Sequence, residues 1–190
     1  MTMERIPTIH TDDKKIIPEA LDEQMGIPVL LLDSVYEGRS GDSTGVIVPD
    51  LAGLEAAMAV ARVMDDFRLS GKELKFLRKA IGVKAVDLAK FLDVTPETLS
   101  RWENGKEPIS TNPERVIRMR VYNALHGKAL GVKADLDTIL EMKFRPMRLA
   151  GDGTMVFKRV PVAKDGDLLI AWVHDGSRAR STHTVVKLRA

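Results

Sequence analysis

Residues 70–110 read SGKELKFLRKAIGVKAVDLAKFLDVTPETLSRWENGKEPIS, and the fold turns on how this stretch is punctuated. Ser70-Gly-Lys-Glu73 has the form of a capping box, in which the hydroxyl and the carboxylate each satisfy an orphan amide at a helix start. The spacing of Leu74, Leu77 and Ile81 predicts a helix to about Ile81, and Gly82 can take the left-handed conformation that ends it. A second short helix, from about Lys84 to Leu92, presents Val86, Leu88, Ala89 and Leu92. A third begins at Thr95 with Pro96 in its first turn and ends before Gly105. A fourth follows Asn112, with Pro113 at its first position, and continues to about His126.

Links as tight as Gly82-Val83 and Asp93-Val94 pack these helices into a compact unit. A helix that reads DNA from such a unit needs apolar anchors on one side only and small or polar residues on the other. The Thr95 helix meets that requirement. Val94, Leu99 and Trp102 are placed to pack inward, leaving Glu97, Thr98 and Arg101 outside. An arginine there suits guanine or a phosphate, and a threonine hydroxyl suits either. Asn104 and Lys106 follow on the loop where a phosphate would pass. The competing reading is a helical domain used only for protein contact, with Glu97 and Glu103 adding negative charge near the helix.

Charge distribution supports the first reading. The 190-residue chain has a formal net charge of +2, but residues 1–70 hold 6 Lys and Arg against 13 Asp and Glu, while residues 71–120 hold 11 against 7. Residues 143–190 hold 10 against 4, a second basic block that includes Lys158, Arg159, Arg178, Arg180, Lys187 and Arg189. Basic blocks are what a phosphate backbone requires. The chain has no cysteine, which removes disulfides, thiolate metal sites and a cysteine nucleophile together. The four histidines, His10, His126, His174 and His183, are scattered, so no metal and no cofactor is expected. No Gly-rich phosphate loop or nucleophile motif points to an enzyme. With no run of eighteen apolar residues and no signal-peptide pattern, a cytoplasmic location is expected.

Residues 72–110 resemble the helix-turn-helix of the lambda-repressor/Cro-like (XRE) family, most specifically over LSRWENGK. The resemblance implies sequence-specific binding of double-stranded operator DNA by a homodimer. Many members place a glutamine at the start of the second helix; here Ala85 stands there, preceded by Lys84, which could take over that contact. The residues expected to meet DNA are then Lys84, Thr95, Glu97, Thr98, Ser100, Arg101, Asn104 and Lys106. A wider stretch, residues 25–110, is similar to the MqsA-type zinc-finger/helix-turn-helix antitoxins. It carries Tyr36-Glu37, Val48-Pro-Asp-Leu-x-Gly-Leu54 and LSGKELKFLRK in the same order. That family follows its Tyr-Glu with zinc-ligating Cys-x-x-Cys; here both positions are glycines, Gly38 and Gly41. The antitoxin resemblance implies a possible protein partner, neutralised through the front domain.

Around the helices the text changes. Ile27–Asp33 and Val46–Val48 read as strands joined by a Gly-rich turn, and residues 1–24 as an arm or short strand. An amphipathic helix is expected from Leu51 to Asp66, capped by Asp50, with Leu54, Met58 and Ala61 on its stripe. A short helix is expected over Leu136–Met142. Met155–Val162, Leu168–Val173 and Thr184–Leu188 read as strands. The front strands, with Val29, Leu30, Leu31, Val46 and Ile47 to bury, need a partner, and the C-terminal strands are available. The expected class is α+β: a central all-α helix-turn-helix bundle flanked by small β-rich segments. The expected divisions are residues 1–49 (arm and β unit), 50–69 (connecting helix), 70–127 (DNA-binding domain) and 128–190 (linker and strand extension). The Leu54–Met64 helix and the C-terminal region are candidate dimer surfaces.

Overall fold

The structure is a computed structural model that describes residues 15–23, 26–40, 43–148, 153–176 and 186–187. It is mixed α+β. Three strands, β1 (Ile16–Asp22), β2 (Val29–Ser40) and β3 (Ser43–Ile47), precede six helices. These are α1 (Leu51–Met64), α2 (Gly71–Ala80), α3 (Ala85–Phe91), α4 (Pro96–Glu103), α5 (Thr111–Leu125) and α6 (Leu136–Glu141). Strands β4 (Met155–Lys164), β5 (Asp167–His174) and β6 (Val186–Lys187) follow.

All the strands join one sheet, in the order β5-β4-β2-β1-β6, with β3 also on β2. β1 runs antiparallel to β2 from Ile16↔Tyr36 to Asp22↔Val29. β4 runs parallel to β2 from Val29↔Met155 to Leu32↔Lys158, and β3 pairs farther along, from Tyr36↔Ile47 to Ser40↔Ser43. The front strands therefore do take the C-terminal strands as their partner. Alternation along β2 puts Val29, Leu31 and Val35 in the core. Val46 departs from expectation: it is exposed, because β3 pairs only with the outer part of β2.

The strand β2 carries an irregularity that ties the sheet together. Its register with β1 slips between Ile17 and Glu19, where Asp33 adopts φ 47°. An aspartate tolerates that left-handed conformation better than a branched residue would. The next residue, Ser34, is buried; its hydroxyl donates to Leu32 O at 2.6 Å and accepts from the Arg159 amide at 2.7 Å. The β2–β4 link thus continues one residue beyond its backbone ladder.

Helix α1 differs from the amphipathic connector read in the sequence. Leu54 and every residue from Ala56 to Val63 are buried, including Arg62. The helix packs between the sheet, at β5, and the helices α5 and α2. Four alanines, Ala56, Ala57, Ala59 and Ala61, let those neighbours approach it on several sides. A helix covered this way keeps only Leu51 and Ala52 exposed, at its N-terminal end. Helix α5 starts at Thr111, two residues before the expected Pro113. Proline is tolerated there because first-turn amides have no partner within the helix.

The two described histidines are placed singly. His126 is exposed and stacks on Tyr122, with ring centroids 4.5 Å apart, and half-buried His174 packs against Phe157. Among the described residues no group of three or more His, Asp or Glu is arranged to hold a metal ion, and no helix is long and apolar enough to cross a membrane. Gly38, one of the two glycines set against zinc-ligand positions in the sequence reading, pairs with Gly45 in the β2–β3 ladder; Gly41 lies outside the described residues. So do His10, His183, Arg178, Arg180 and Arg189, and Lys187 falls in β6.

Candidate nucleic-acid interface

The interface is built outward from α2. Its capping box forms as read: the Ser70 hydroxyl accepts from the Glu73 amide at 3.4 Å, and Glu73 Oε2 accepts from the Ser70 amide at 2.7 Å. Gly82, at φ 68°, ends the helix in the left-handed region, and α3 starts three residues later. Helix α4 is capped by Thr95, whose hydroxyl accepts from the Thr98 amide at 3.2 Å, with Pro96 behind it. Leu99 and Trp102 are buried, as their spacing predicts, and half-buried Val94 packs against the same core.

Two features of the α2–α4 junction were not legible in advance. Gly71 lies so close to α4 that a Cβ would run into the Trp102 and Glu103 carbonyls. Arg78 and Glu103 form a largely buried bidentate pair, Nε–Oε1 2.5 Å and Nη2–Oε2 3.1 Å, and Arg78 also donates to Val83 O at 3.0 Å. One side chain thus holds α2, the α2–α3 turn and the C-terminal end of α4. Glu103 reads in the sequence only as negative charge near the helix. Its position four residues after Leu99 and one after Trp102, on the inward side, is the signal that could have identified it.

The outer face of α4 is exposed among the described residues. Glu97, Ser100 and Arg101 are exposed there and, with Pro96, line a shallow recess. Asn104 and Lys106 are exposed just beyond the helix. Asn104 Nδ2 donates to Ser100 O at 2.8 Å and lies 3.2 Å from the Ser100 hydroxyl, which fixes the amide at the helix end. Lys84, exposed at the N-cap of α3, makes no side-chain capping bond. Thr98 is half-buried, its hydroxyl 3.2 Å from that of Thr95, so both threonines are engaged in the cap. Arg101 bonds Glu107 at 3.1 Å. Glu97 is held below its ordinary pKa of 4.5 by a backbone amide first, then by the Thr95 hydroxyl and the Arg101 charge. It stands as an anion beside a cation on the same face.

With that geometry in hand, comparison with known families is informative. Residues 74–119 match the family model described as Helix-turn-helix. The chain contains an XRE-type helix-turn-helix domain. Domains of this family belong to DNA-binding regulators. No curated protein and no solved structure matches the chain.

The helix-turn-helix domain is fastened to the rest of the molecule by buried ions. Arg62 of α1 donates to both oxygens of Glu73, at 2.5 and 3.1 Å, and to the carbonyls of Phe67 and Arg68 at 3.0 and 2.9 Å. Arg118 of α5, fully buried, bonds Glu114 at 2.8 Å and the carbonyls of Val63, Asp65 and Phe67. Glu114 Oε1 also accepts from the Leu69 amide at 2.9 Å; its Oε2 makes no hydrogen bond but lies 3.3 Å from Arg68 Nε. The carbonyls of the 65–69 segment and the end of α1 are thereby satisfied by two arginines, Arg62 of α1 itself and Arg118 of α5. Burial alone would raise the pKa of Glu73, but Arg62 and the Ser70 amide and hydroxyl outweigh it and hold it low.

Proposed function

We propose that the chain is a sequence-specific transcriptional regulator that occupies operator DNA as a homodimer and represses, its own promoter included. The observation that carries this reading is the two-sided character of α4: Leu99 and Trp102 buried, and Glu97, Ser100 and Arg101 exposed on the outer face. Lys84 and Lys106 supply phosphate contacts at the start of α3 and just past α4, and these set register and affinity. Arg101 supplies bidentate base recognition, and the Glu97 carboxylate suits a cytosine amino group. Thr95 and Thr98 hold the N-terminus of α4, while Ser100 and Asn104 fix its far end.

Selection from a random duplex library, followed by footprinting upstream of the protein's own reading frame, tests the reading. The expected result is a palindromic site with half-site centres about 10 base pairs apart. Enrichment of no sequence over the starting library would contradict it.

A further inference from the structure

Behind the recognition helix lies an apolar slot of about 170 Å³ between the start of α2, the α4–α5 loop and the segment after α6. Its floor is buried Leu69, Leu74, Trp102 and Ile109, and half-exposed Met147 lines it from the strap that follows α6. Glu107 also lines it, and its carboxylate pairs with Arg101 of α4, at 3.1 Å. We propose that this slot binds a small organic amine bearing a ring. The ring would occupy the apolar floor, and the ammonium would take Glu107 from Arg101.

Size and charge both select that occupant. An apolar cavity of roughly 150 Å³ holds benzene, so a single ring fills this one. A glutamate lining the slot repels anions and holds a cation more strongly than a neutral hydrogen-bond donor. Glu107 is about half exposed, at 49%, so pairing it with an ammonium carries little desolvation cost. Arg101 is exposed at 58%, and among the described residues Glu107 is its hydrogen-bonded ion-pair partner, so losing Glu107 releases its guanidinium from that bond without disturbing the core. Because Arg101 stands on the face proposed to read DNA, occupancy of the slot and DNA binding are coupled, and the coupling is reciprocal. That consequence rests on the DNA reading; the site itself does not.

Benzylamine and its uncharged analogue benzyl alcohol test the proposal on the full chain, without DNA. The readouts are the backbone amide signals of Gly71, Gly105 and Ile109 and the side-chain Nε–H signal of Arg101. Benzylamine is expected to shift all four saturably, and about tenfold more tightly than benzyl alcohol, as a charge-assisted contact requires. In Glu107→Gln, an exposed substitution that leaves the slot floor intact, the preference for the amine disappears while weak binding of both molecules remains. No saturation by about 10 mM, equal affinity for the two molecules, or shifts confined to another surface such as the exposed Leu168–Ile170 segment would overturn the site. An Arg101 signal that stays fixed while the amides saturate would overturn the exchange at Glu107.

Discussion

At the scale of single residues, the outer face of α4 combines a fixed anion with a movable cation. The Glu97 carboxylate is stabilised by a backbone amide, by Thr95 and by Arg101, so its charge persists at neutral pH and disappears only as pH falls below the ordinary value of 4.5. Removing Thr95 takes away both a helix cap and one of those partners. Thr95→Ala is expected to cost about 1 kcal/mol in denaturant unfolding and to raise the Glu97 titration midpoint seen by NMR. Much of this face was legible in the sequence, because a helix that buries Leu99 and Trp102 must turn Glu97 and Arg101 away from them. The engagement of Thr98 was not, since a hydroxyl serves a cap or a base equally well until the backbone around it is placed. Arg101's bond to Glu107 escaped for a related reason: six residues separate them, and the turn at Gly105 brings them together.

At the scale of elements, α4 is held by the close approach at Gly71 and the Arg78–Glu103 pair. Gly71→Ala is expected to push α4 off α2, costing about 1–3 kcal/mol, readable as a lowered thermal midpoint. Glu103→Gln leaves the Arg78 charge buried against a neutral group and is expected to cost up to about 3–5 kcal/mol, with DNA affinity falling alongside. Helix starts and stops were well marked by capping residues and glycines. The pairing of β2 with β4 was less so, because two short apolar runs more than a hundred residues apart carry no local sign of which strand each will join. The burial of α1 was hidden by its alanines, which suit an exposed helix and a closely packed one alike. Arg62 reads as a solvated cation by residue type alone.

For the molecule as a whole, Arg62 and Arg118 tie α1 and the 65–69 segment to the helix-turn-helix domain, although the family match begins only at residue 74. A fragment of residues 70–127 leaves Arg118 without its carbonyl partners and Glu73 without Arg62. It is expected to melt without a cooperative transition, whereas the full chain melts cooperatively, by calorimetry. The same network sets an acid limit. Glu73 has a lower pKa in the folded chain than its ordinary value of 4.5, so its contribution is fully present above that value. It is lost as pH falls through the folded value, and Glu73→Gln should flatten that acid limb of stability. The most direct test of the central claim is the affinity of the full chain and of Arg101→Ala for a selected duplex, measured by fluorescence anisotropy across a salt series. For the wild type, log affinity should fall linearly with log salt, and Arg101→Ala should lose about 1–3 kcal/mol of preference for the selected over a scrambled duplex. Salt-insensitive binding, or an Arg101→Ala variant that discriminates the two duplexes as well as the wild type, would contradict the assignment of this face as the DNA reader.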